Sequence, residues 1–69
     1  MAMEYDVQRL QLGDVVLIDV AGQDQVEAKV MRAIERTDTG VRTLLRVEGR
    51  DDFVKEWPLD ESVTVVRGP

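Results

Sequence analysis

The central segment, residues 26–48, reads VEAKVMRAIERTDTGVRTLLRVE and permits two different folds. Apolar residues recur at the four-residue spacing of a helix face at Val26, Val30 and Ile34. The same residues also share the parity of a β-strand, whose side chains alternate between its two faces, and only Arg32 interrupts that series. No capping box precedes the segment to begin a helix. We therefore favour a long strand over residues 26–36 and keep the helix as the alternative.

The residues that follow support the strand. Thr37-Asp38-Thr39-Gly40 is a turn signal, with a glycine that is free to take a positive φ. Beyond the turn, alternate residues are apolar or β-branched, which predicts a strand over Val41–Glu48 with one buried face: Val41, Thr43, Leu45 and Val47. Two strands joined by such a short turn predict a β-hairpin.

Charge predicts the register of this hairpin. If Arg36 lies opposite Val41, then Glu35 faces Arg42 and Lys29 faces Glu48. Both are pairs of opposite sign, each worth about 0.2–1 kcal/mol across a strand pair. We expect this register, although a bulge at Gly40 would shift it.

Three further strands are predicted from short runs of β-branched and aromatic residues: Asp14–Val20, Phe53–Trp57 and Val63–Val66. Pro58 cannot donate to a ladder and ends the strand before it. The segment 58–62 is long enough for a single 3₁₀ turn. The sequence thus predicts an all-β fold, a five-stranded, strongly bent barrel with one 3₁₀ turn before the last strand. It forms one domain over residues 1–69, with an ordered core at about 7–67.

Composition excludes several classes of function. The chain has 69 residues, of which 43% are hydrophobic and 33% charged, and it has neither His nor Cys. Such a chain is too apolar to be disordered, and it lacks the side chains of zinc fingers, thiol catalysis and the commonest general base. The pairs Asp51-Asp52 and Asp60-Glu61 are better explained by solvated turns than by a cation site. We expect no enzyme activity, no metal and no cofactor.

The order of the strands carries a resemblance to a known superfamily. The entry Leu10-Gln11-Leu12-Gly13-Asp14 and the ending, in which Trp57-Pro58-Leu59 leads to Val63-Thr64-Val65-Val66, resemble the SH3-like small β-barrels. That superfamily includes Tudor and KOW-type domains and uncharacterised bacterial proteins. The resemblance covers about residues 7–67; it implies the barrel and is nearly silent on function.

The cellular compartment and the source of the protein are predicted from its charge, hydropathy and composition. An acidic segment at residues 1–6 and the lack of a long apolar run predict a cytoplasmic protein that does not bind membranes. Seven Arg against two Lys are compatible with a GC-rich bacterial source. Three aromatic residues are too few for a proline-peptide groove or a methyl-lysine cage.

The function that remains is a non-catalytic protein-interaction module. Trp57 is either an anchor for a partner or the closure of the core, with closure favoured. Leu44 and Leu45 are neighbours on one strand, so one of them faces outward and offers an apolar patch to a partner or to a second copy. The alternative is RNA or DNA binding by a basic stripe, Arg32, Arg42 and Arg46, which the net charge of −5 disfavours.

Overall fold

The computed structural model describes residues 2–20 and 22–69, and these form seven β-strands and one 3₁₀ helix. The strands are β1 (Met3–Asp6), β2 (Val15–Val20), β3 (Gln23–Val30), β4 (Glu35–Arg36), β5 (Gly40–Arg46), β6 (Phe53–Pro58) and β7 (Ser62–Arg67). The all-β class is confirmed, but the count of five strands is wrong. One strand, β1, was not predicted, and the long strand expected over residues 26–36 is divided into β3 and β4.

All the strands belong to one antiparallel sheet, which curls into a half-barrel. The strand order is β1-β7-β2-β3-β5-β4, and β6 pairs with the other edge of β5. The concave side encloses the core, whose members are Val7, Leu10, Val16, Ile18, Ala28, Val30, Val41, Leu45, Val47, Trp57, Val63 and Val65. The predicted buried face of β5 is confirmed, because Val41, Thr43, Leu45 and Val47 are all buried.

The chain leaves the ladder between β3 and β4, at residues 31–34. Here the buried Thr43 hydroxyl donates a hydrogen bond of 2.7 Å to the Arg32 carbonyl oxygen, while the Arg32 side chain is exposed. The Met31 amide donates to the Leu44 carbonyl oxygen at 2.8 Å. Arg32, which interrupts the apolar alternation in the sequence, therefore lies at a break between two strands. The segment contains no helix, so the helical alternative is wrong.

This break also decides the hairpin register. Arg36 lies opposite Val41 and Glu35 opposite Arg42, as the charges predict. Beyond the break, however, Lys29 lies opposite Arg46 instead of Glu48, so that part of the prediction is wrong. The segment at 31–34 adds two residues to one side of the ladder, and the pairing beyond it shifts by the same amount.

The 3₁₀ turn is at a different place from the predicted one. It spans Val7–Arg9, where the Asp6 carboxylate accepts a hydrogen bond from the Gln8 amide at 2.9 Å. Before the last strand there is instead one hydrogen-bonded turn, in which the Glu61 amide donates to the Pro58 carbonyl oxygen at 3.1 Å. The connection from β6 to β7 consists of the three residues 59–61, and from Ser62 onward β7 pairs with β1.

Gly40 has a role that the sequence did not indicate. Its φ is not positive, unlike that of Gly13, Gly22 and Gly49. It is buried at the start of β5, where an added Cβ would overlap the Trp57 carbonyl oxygen and lie 2.9 Å from the carbonyl carbon. The turn before it is closed instead by Thr37, whose hydroxyl accepts a hydrogen bond from the Gly40 amide at 3.0 Å. Gly40 is therefore required for the close approach of β5 and β6.

We expect Gly40→Ala to lower the free energy of unfolding by at least about 2 kcal/mol, since its methyl group meets backbone atoms that cannot move independently. Gly68→Ala is the matched control: its Cβ would lie 3.9 Å from the nearest atom, an ordinary contact, so its effect is expected to stay within about 0.5 kcal/mol. Urea denaturation measures both. Equal stability of the two variants would contradict the assigned role of Gly40.

Candidate functional site

Trp57 lies in the core and is only 6% exposed. It belongs to the concave face of β6, and the Lys55 ammonium lies 5.7 Å from the centre of its ring. This contact explains why a lysine shares the parity of Phe53 and Trp57, because its apolar stem can lie along the indole while the charge faces its π-system. The interpretation of Trp57 as core closure is confirmed, and the indole does not protrude as an anchor.

The outer side of the β5–β6 hairpin carries the other predicted residues, except Arg32. Three rows cross it. In the two rows that lie within the strands, Arg42 is opposite Glu56 and Leu44 is opposite Val54. In the third row, Arg46 at the end of β5 forms an ion pair with Asp52, the residue immediately before β6. We call these six residues the hairpin face.

The centre of the hairpin face is apolar. Val54 is 63% exposed, and Leu44 beside it is half-buried. A shallow groove borders the pair and is lined also by Arg32, Ala33 and Glu35. Leu45, the neighbour of Leu44, is fully buried. Leu44 is therefore the outward-facing member of the leucine pair.

The arginines of the hairpin face are held by carboxylates. Two hydrogen bonds of 2.9 Å join the Arg46 guanidinium, through Nε and Nη2, to the two carboxylate oxygens of Asp52. These hydrogen bonds and the charge of Arg46 lower the pKa of the Asp52 carboxyl, and the same contact raises the pKa of Arg46. Arg42 donates to Glu35 at 2.9 Å. Exposed pairs of this kind add little stability, but they orient the side chains.

The basic stripe predicted from the sequence is thus only partly assembled. Arg42 and Arg46 share the outer side of β5, and each is paired with an acid. Arg32 lies at the break between β3 and β4, where its side chain is exposed. Lys29 lies opposite Arg46 and not opposite its predicted partner Glu48, while the acidic partner of Arg46 is Asp52.

Three residues of the hairpin face, Asp52, Val54 and Glu56, were not among the predicted site residues. Their parity was readable, because Val54 and Glu56 alternate with Phe53 and Trp57 along β6. What the parity does not reveal is the pairing of Val54 with Leu44, which depends on the register between β5 and β6.

Elsewhere, an open depression lies beside the loop between β5 and β6 and has mixed charge, with Asp19, Asp51, Phe53 and Lys55 in its lining. Among the side chains that the structure describes, every buried nitrogen and oxygen has a hydrogen-bond partner. The described residues contain no group of three acidic side chains placed to hold a metal ion. Nowhere in the described ranges does the chain form a helix with the length and hydropathy that a bilayer crossing requires.

Comparisons of the chain with protein-family models, with curated proteins and with solved structures found no match. The site must therefore be interpreted from its own geometry.

The Asp52 carboxyl is expected to titrate below the usual pKa of an aspartate, because Arg46 stabilises its charged form. A lowered pKa in the folded state stabilises the fold above the ordinary pKa of the carboxyl, and this contribution is lost as the pH falls through the lowered value. NMR titration of the side-chain carboxyl carbon measures it.

Arg46→Gln should return the Asp52 pKa toward its ordinary value, while Arg42→Gln, which leaves the Arg46–Asp52 pair intact, should not. An ordinary Asp52 pKa in the unsubstituted protein would show that the pair does not persist in solution.

Proposed function

We propose that the chain is a non-catalytic protein-interaction module of the SH3-like type, and that it docks proteins on the hairpin face. The observation that supports this most directly is the exposed Leu44–Val54 pair at the centre of a charged frame. The outer face of an antiparallel sheet is ordinarily polar. An apolar centre within a polar rim is the usual arrangement of a protein-docking surface.

The rigidity of the surface also supports docking. The hairpin face is carried by two paired strands, and Trp57 packs into the core from the concave side of β6. Side chains held on strands keep their positions, so little conformational freedom is lost when a partner binds.

The charges favour a protein over a nucleic acid. Nucleic-acid binding depends on a net positive surface that replaces the counterions of several phosphates. On the hairpin face, Arg42 and Arg46 are already paired with Glu35 and Asp52, and the chain as a whole carries −5. RNA or DNA binding by the arginine stripe is therefore the alternative function. We further propose a cytoplasmic, bacterial setting, which the resemblance to bacterial SH3-like proteins and the excess of Arg over Lys support.

We expect a photo-crosslinking amino acid at position 54 to form protein adducts in cells of the source organism. The same group at position 12 should form none above background. Leu12 is the matched control, because it is 57% exposed and lies outside the hairpin face. Mass spectrometry of the purified adducts identifies the proteins, and an adduct with a second copy of the chain counts as a protein adduct.

Two outcomes would contradict the proposal. One is equal labelling at positions 54 and 12, which would show that the face is not preferred. The other is an adduct at position 54 that nuclease digestion removes and that Arg46→Glu weakens, which would support nucleic-acid binding instead. Circular dichroism of each variant confirms that the sheet is intact.

A further inference from the structure

We propose that the hairpin face binds a second copy of this chain, in a symmetric dimer whose two-fold axis runs parallel to β5 and β6. The inference rests on the proposed function and names the partner of the same surface. Its basis is the distribution of charge over the three rows of the hairpin face.

The charges are segregated by strand. Both bases, Arg42 and Arg46, are on β5, and both acids lie on the other side, Glu56 on β6 and Asp52 immediately before it. The apolar row of Leu44 and Val54 lies between the two charged rows. The two arginines and the two carboxylates sum to zero, so the hairpin face is a neutral area on a chain of net charge −5. It is therefore a surface where two copies can approach with little repulsion.

Symmetry decides how two such faces can meet. In a symmetric dimer the same patch serves both copies, so the patch must be complementary to itself. A two-fold axis parallel to the strands stacks β5 of one copy on β6 of the other. Arg42 then meets Glu56 of the second copy, Arg46 meets Asp52, and Leu44 meets Val54.

The other two-fold axis that keeps the strands of the two copies aligned is perpendicular to the strands, and it gives the opposite result. It places Arg42 over Arg46 of the second copy and Glu56 over Asp52, so that every charged contact is between like charges. Like charges at an interface oppose association. The charge pattern thus selects one of the two symmetric arrangements.

The dimensions suit this arrangement. Stacked sheets pack about 10 Å apart with their side chains interdigitated. An arginine and a carboxylate can span that gap together. The Arg46 guanidinium uses only Nε and Nη2 for Asp52 of its own chain, and a guanidinium has five N–H groups, so donors remain for the second copy. The side chains are also accessible: 58% of Arg46 and 28% of Asp52 are exposed.

A pair of complementary variants tests the proposal. Arg42→Glu with Arg46→Glu makes the hairpin face wholly acidic, and Asp52→Lys with Glu56→Lys makes it wholly basic. Sedimentation equilibrium should show that the unsubstituted chain dimerises as its concentration rises toward about 1 mM, the weak end of specific association. Each variant alone should dimerise at least tenfold more weakly, and an equimolar mixture should form a heterodimer.

A second measurement needs no substitution and so does not depend on how well the variants fold. In a dimer assembled from differently labelled copies, NMR should show an intermolecular contact between the methyl groups of Leu44 and Val54. A contact between the side chains of Arg42 in one copy and Arg46 in the other would indicate the perpendicular axis and overturn the proposal.

The proposal is also overturned if the unsubstituted chain stays monomeric throughout the concentration series, or if the folded variants do not associate when mixed. A monomer that still forms adducts with a different protein from position 54 would overturn the dimer alone and leave the proposed docking function standing.

Discussion

The close approach of β5 and β6 at Gly40 is the constraint on which the outer surface depends. Only a residue without a side chain fits beside the Trp57 carbonyl group, and this contact places Gly40 opposite Pro58. The same register then places Leu44 opposite Val54 and leaves Arg46 beside Asp52. Because side chains alternate along a strand, a slip of β6 by one residue would turn Val54 inward and Trp57 toward the surface.

The position of β6 favours the face of the hairpin over its edge as the surface of the proposed dimer. Among the described strands, β6 pairs only with β5, so its other edge is a potential site for a further strand. Lys55 points to the concave side of β6 and lies against Trp57. An inward-pointing charge on an edge strand discourages edge-to-edge pairing. The outer side has no such charge at its centre, where Val54 is exposed.

The comparison of prediction and structure shows which patterns are reliable in this chain. Alternation predicted the buried residues of β5 correctly, and the interruption at Arg32 coincides with the break between β3 and β4. By contrast, β1 was missed although Met3 and Tyr5 alternate with two acids, because the strand has only four residues and only Tyr5 is half-buried. The register prediction holds near the turn, at Glu35 and Arg42, and fails beyond the break.

The sequence alone determined three features, because they follow from local alternation. These are the β class, the division of most residues between the two faces, and the outward direction of either Leu44 or Leu45. Only the tertiary structure decided that Leu44 faces Val54, that Asp52 pairs with Arg46, and that Gly40 serves a close contact instead of a positive φ. These features depend on the register between strands. Register is set by where the chain bends and how closely two backbones approach, and neither is encoded in the alternation of a single strand.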